Sequence, residues 1–159
     1  MPNTEEISKQ LIHWAGSRPD EVVFNPKEGY YSFGVVADAF EKGKEHFIEK
    51  MRGRFMENVN VINEALQDIF ATLKGLKVSP IRVFIKNTVS ESSVLITVSD
   101  TDFNNEVFVK NIYEFSADIE QKFSQNNLIF DLSFINDNDN LNVDLIKSDG
   151  YSFDMDLRK

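Results

Sequence analysis

Three aspartates could act together if the segments that carry them pair as their apolar patterns suggest. Asp131, Asp144 and Asp154 occupy polar positions of alternating stretches at 128–135, 141–147 and 151–157. A three-residue loop, Ser148-Asp149-Gly150, with the glycine left-handed, sets Leu145 opposite Phe153 and Val143 opposite Met155. Asp144 then faces Asp154 on the other side of the sheet. A four-residue loop at 136–139 pairs Phe130 with Leu145 and brings Asp131 opposite Asp144. Like charges directly opposite destabilise a sheet, so such a row asks for a counter-charge. Clustered carboxylates suit Mg²⁺ or Ca²⁺. A cation held by Asp131, Asp144 and Asp154 would make the chain a divalent-metal-binding protein or a metal-dependent enzyme. Without one, the row is a solvated acidic face whose repulsion salt screens.

Other polar groupings fall short of a reactive site. Asp100-Thr101-Asp102 follows a strand, as paired carboxylates do in phosphoryl-transfer sites, but no glycine-rich turn precedes it. Helix capping accounts for both aspartates. The tract Asn136-Asp137-Asn138-Asp139-Asn140 has the composition of a calcium loop, yet counting twelve from Asn136 reaches Lys147 where a glutamate is needed. The two histidines, His13 and His46, fall in separate predicted helices, and Gly43-Lys44 lacks the serine or threonine of a phosphate loop. With no cysteine, thiol chemistry and cysteine-bound zinc are excluded. No catalytic residue and no cofactor is assigned from these patterns.

Two apolar groupings point instead to binding. Phe24, Tyr30 and Tyr31 lie in the connection at 20–31, where aromatic side chains can anchor a protein partner. Phe55, Val59, Ile62, Leu66 and Ile69 recur in steps of four and three, the spacing of a coiled-coil seam. The surrounding charges segregate, with Lys42, Lys44, Lys50, Arg52 and Arg54 ahead of Glu57, Glu64 and Asp68. An antiparallel homodimer through this helix would match basic halves to acidic ones. The competing arrangement lays the seam across the chain's own sheet, or folds it back at Gly53.

The elements that must position these residues follow from periodicity. Residues 4–15 carry a helical apolar face, and a long helical pattern runs from about 32 to 74 with Gly43 and Gly53 inside it. Strands at 82–88 and 94–99, a helix at 103–124 and strands at 128–135, 141–147 and 151–157 complete the order. This predicts a two-layer α+β fold: an antiparallel sheet of about five strands, helices on one face, and a long N-terminal helix. The chain divides into a helix and aromatic loop at 1–35, the long helix at 36–78 and a strand-rich part at 79–159, expected to form one compact unit.

Composition narrows the function class. The 159 residues hold 26 acidic and 17 basic side chains, a net charge of −9, which disfavours nucleic acid as a partner. Seven of the nine units lie beyond residue 78, whereas 36–78 is neutral. The apolar runs are too short for a membrane span, and the acidic start MPNTEEIS is unlike a signal peptide, so a cytoplasmic location is expected. The sum of these features describes a non-enzymatic protein–protein interaction or assembly module. No residue pattern names its partner.

Overall fold

The computed structural model describes residues 4–16, 34–124 and 127–158. The aromatic group Phe24, Tyr30 and Tyr31 lies outside the described residues. Helix α1 (Thr4–Gly16) and the 42-residue helix α2 (Gly34–Gly75) precede β1 (Arg82–Asn87) and β2 (Glu91–Ser99). A short helix α3 (Asp100–Phe103) leads into α4 (Glu106–Phe123), followed by β3 (Ile129–Asp137), a one-turn-and-a-half helix α5 (Val143–Ser148) and β4 (Phe153–Asp156). None of the described helices is long and apolar enough to cross a membrane.

At 1.5 Å per residue, α2 is about 63 Å long. It runs unbroken through Gly43 and Gly53, and a Cβ added at either glycine would meet open space. Its end is set two residues past Gly75. Lys77 adopts a left-handed φ of 58°, while Val78 N–H donates to Leu73 O at 3.0 Å and Lys77 N–H to Lys74 O at 3.1 Å. These are the two bonds of a Schellman ending.

The α+β class holds, but the sheet differs from the expected one. It has four strands in the order β3-β2-β1-β4 and is mixed rather than antiparallel. β1 pairs antiparallel with β2 and β4, whereas β3 lies parallel to β2. The cause is α4. A helix between two strands carries the chain back to the starting end of the sheet, so β3 re-enters beside β2 in the same direction. The stretch at 141–147 forms no strand. Asn142 instead caps α5 by accepting from Leu145 N–H at 3.0 Å, and Ser148 Oγ donates to Leu145 O at 2.7 Å. Phe153 therefore pairs with Ile85 on β1 and not with Leu145.

The core lies between one sheet face and α1, α2 and α4. Val83, Ile85, Val94, Ile96 and Leu132 meet Val59, Ile62, Leu66, Ile69 and Leu73 of α2, all buried. The seam expected to join two copies is thus occupied within the chain: its four-three spacing marks a narrow stripe against the sheet. Phe55, partly buried, packs at a 40° tilt with its ring 5.7 Å from Trp14 of α1, which also meets Phe153 edge-on at 6.0 Å. Polar bonds fix the register of α2 on the β1–β2 turn. The buried Asn58 side chain donates to Thr88 O at 2.8 Å and Val89 O at 3.2 Å.

The second sheet face is covered in part by the segment around α5, so helical structure is not confined to one face. Lys147 pairs with Asp154 at 3.2 Å, and Gly150, with φ of 97°, lies against the Lys86 side chain. A Cβ at Gly150 would touch that lysine at 3.4 Å, and the left-handed backbone there favours glycine. Phe84 and Leu95 are buried on this face.

Candidate functional site

The three aspartates of the expected row do not come together. Asp131 is on β3 and Asp154 on β4, the two opposite edges of the sheet, and Asp144 is exposed in the first turn of α5. The hairpin that would have aligned them requires 141–147 to be extended. Each β4 carboxylate has cations of its own. Asp154 lies 3.8 Å from Arg82 and 3.2 Å from Lys147, and Asp156 lies 3.6 Å from Arg82 and 2.7 Å from Arg158. The Arg158 guanidinium and backbone N–H both donate to Asp156, holding its carboxyl well below the usual carboxylate range. Among the described residues no three acidic or histidine side chains are grouped to hold a metal ion.

Asp131 sits in a different neighbourhood. Burial of Tyr151 raises its phenol above the ordinary value, and the nearby Asp131 carboxylate adds to the rise, opposed by a hydrogen bond with Ser93. Ser93 Oγ also donates to Glu91 at 3.1 Å, and Lys86 pairs with the same glutamate oxygen at 3.2 Å. These contacts tie the chain after α5 to the sheet face. They place Tyr151 and Asp131 in one polar layer on that face.

A different place combines apolar surface with unfilled bonding capacity. Among the described residues β3 is an edge strand, paired only with β2. Ile129 N–H donates to Ser90 O toward β2. The even-numbered residues point the other way: Phe130 N–H donates to Ser124 Oγ at 2.9 Å, and Leu132 N–H to Glu120 Oε1 at 3.1 Å. The alternation of an unbroken strand continues this orientation to Phe134 and Asn136. At Phe134 the edge borders a groove, and Asn136 beyond it donates its side-chain amide to Asp100 Oδ1 at 2.6 Å.

Helix α4 forms the roof of that groove. Asn105 starts the helix by accepting from Val107 N–H at 2.9 Å and Phe108 N–H at 3.2 Å. One stripe of the helix, Phe108, Ile112, Ile119 and Phe123, is buried on the sheet, with Phe108 edge-on to Phe134 at 6.0 Å and Phe123 5.7 Å from Phe130. The stripe one residue round, Val109, Tyr113, Ser116 and Glu120, overhangs the β3 edge at steps of four, three and four. Between these residues and Leu132, Ser133 and Phe134 lies a cavity of about 580 Å³. Tyr113 at its rim is 75% exposed, which is unusual for so large an aromatic surface. Among the described residues lining it the one carboxyl, Glu120, is already an acceptor for the backbone. A second cavity of about 500 Å³ between α2 and the end of α4 is lined by mixed charges, and Lys122 there is committed to Asp68 at 2.6 Å.

Val109, Tyr113, Ala117 and Glu120 are not among the site residues expected from sequence. The available signal was the Val109–Tyr113 pair at i, i+4, which widens the apolar face beyond what the sheet covers. No family model, curated protein or solved structure gives a significant match to this chain.

Proposed function

We propose that this protein is a non-enzymatic interaction module whose docking surface is the groove between α4 and the outer edge of β3. One observation carries the reading. An edge strand whose main-chain groups are capped over Phe130 and Leu132 opens, at Phe134, beneath an apolar helix side with exposed Tyr113. Proteins ordinarily blunt their sheet edges along the whole length, because an open edge recruits other chains. Apolar pockets beside such an edge are where extended segments bind. The groove offers apolar contact and hydrogen bonding but no nucleophile–base pair. The aspartate alternative has weaker support, since its three carboxylates lie on separated elements and Asp154 is already paired. Val59, Ile62, Leu66 and Ile69 of the α2 seam are buried against the sheet, so this reading does not use them as a contact between copies.

Photo-cross-linking in the native cell tests this directly. A benzophenone amino acid at position 113 is expected to give a discrete adduct with another protein, and the same probe at Asp149 is expected to give none. Equal labelling at both positions, or none at either, would refute the groove as the docking surface.

A further inference from the structure

We infer that the groove receives an extended segment alternating basic and apolar residues, bound as a fifth strand on β3. This rests on the docking reading above and adds the chemistry of the partner.

The two sides of β3 differ sharply. Leu132 and Phe134 point toward α4, while Asp131, Ser133, Ile135 and Asp137 point to the opposite face. A strand added at the edge has the same alternation. One set of its side chains enters the apolar space under Tyr113 and Ala117, and the other set stands beside Asp131 and Asp137. Directly opposed side chains on neighbouring strands are about 5 Å apart at Cβ, close enough for a lysine or arginine to pair with either aspartate. Thr97 donates to Asp137 at 3.2 Å and the Arg158 guanidinium lies within its electrostatic reach, whereas Asp131 has only the long 3.5 Å contact from Ser133 and no ion pair among the described residues, so Asp131 is the main anchor for an incoming cation.

The wider field has the same sign. Residues 100–137, which build α3, α4 and β3, include eight acidic and two basic side chains, a net charge of −6. One of those bases, Lys122, is bound to Asp68. Glu114 and Asp118, both exposed on α4, extend the acidic surface along the roof. A basic segment is therefore drawn to this side of the molecule, and an acidic one is repelled.

The test is an amide NMR titration of the full chain with a capped peptide of alternating lysine and valine, seven residues long. Its glutamate–valine counterpart serves as the charge control. The lysine–valine peptide is expected to shift the Phe134 and Asn136 amides and to bind at least tenfold more tightly than the control. N-methylation of one alternate set of its residues is expected to abolish binding, and methylation of the other set to leave it intact, since only one set faces β3. Equal tolerance of both methylations overturns strand addition. Equal binding of the two charge types overturns the basic partner while leaving the docking groove standing. No shift with any peptide, alongside a Tyr113 cross-link, overturns this inference alone. No shift and no cross-link overturn both.

Discussion

Glu120 is the residue on which the shape of the β3 edge turns. Its Oε1 accepts Leu132 N–H at 3.1 Å, from a helix position that is half-buried. Replacing it with alanine leaves a strand N–H facing the groove with only water to satisfy it. A hydrogen bond to a charged acceptor is worth about 1.5–3 kcal/mol, and the edge lies near solvent, so the lower end applies. Alanine recovers a few tenths of a kcal/mol through better helix propensity. A net loss of about 1–1.5 kcal/mol corresponds to a melting-temperature drop of roughly 3–5 °C for a chain of this length. Glu120→Gln keeps an acceptor but not the charge, and its drop is expected to be about 1–2 °C. Thermal melts monitored by circular dichroism give these shifts, and hydrogen exchange reads the bond itself. The Leu132 amide should exchange much faster in Glu120→Ala and remain protected in Glu120→Gln. Unchanged Leu132 exchange in Glu120→Ala would refute the account of the edge, as would identical melting losses in both variants.

Three further outcomes test how the rest is assembled. Gly53→Ala should stabilise the protein by about 0.5–1 kcal/mol in chemical denaturation, because α2 is continuous and a Cβ there meets open space; a loss of stability would indicate a break or a hidden contact. Ile69→Ala should cost about 2–5 kcal/mol without altering the molecular mass in light scattering, since this residue is buried inside the chain; a change in mass with little loss of stability would restore the helix seam as a dimer contact. Asp156→Asn tests the β4 cluster through pH. The folded carboxyl lies below its ordinary value, so its contribution is fully present above that ordinary value, about 4, and is lost progressively as pH falls from there through the lower folded value. Wild type and variant should therefore differ in melting temperature near neutrality and converge on acidification; a difference independent of pH would contradict the pairing with Arg158.

Much of the architecture was legible from periodicity, because burial on one side of an element writes a regular pattern into sequence. The long helix, the helix over most of 103–124 and the strands near 82, 94, 128 and 153 all follow from it. Pairing was not legible in the same way. Alternation states which residues share a face but not which neighbour the strand takes, and β3 alternates equally well beside β2 or beside a hairpin partner. The decisive feature was the length of α4, sufficient for a parallel crossover. The segment at 141–147 misled for a related reason. Leu141, Val143 and Leu145 alternate, yet Leu145 is 59% exposed, and the capping chemistry of Asn142 outweighs a pattern that no packing rewards. The aspartate row failed with that segment. The groove could not be read as a site from sequence, since it depends on β3 being an edge, which is a property of the whole sheet.

The most direct measurement is amide hydrogen exchange along β3 in the unliganded protein. The account predicts fast exchange at Phe134 and Asn136, clear protection at Leu132 by Glu120, and the strongest protection on β1 and β2 in the sheet interior. Protection at Phe134 equal to that of the interior strands would show the edge already occupied, and would contradict an open groove awaiting a partner.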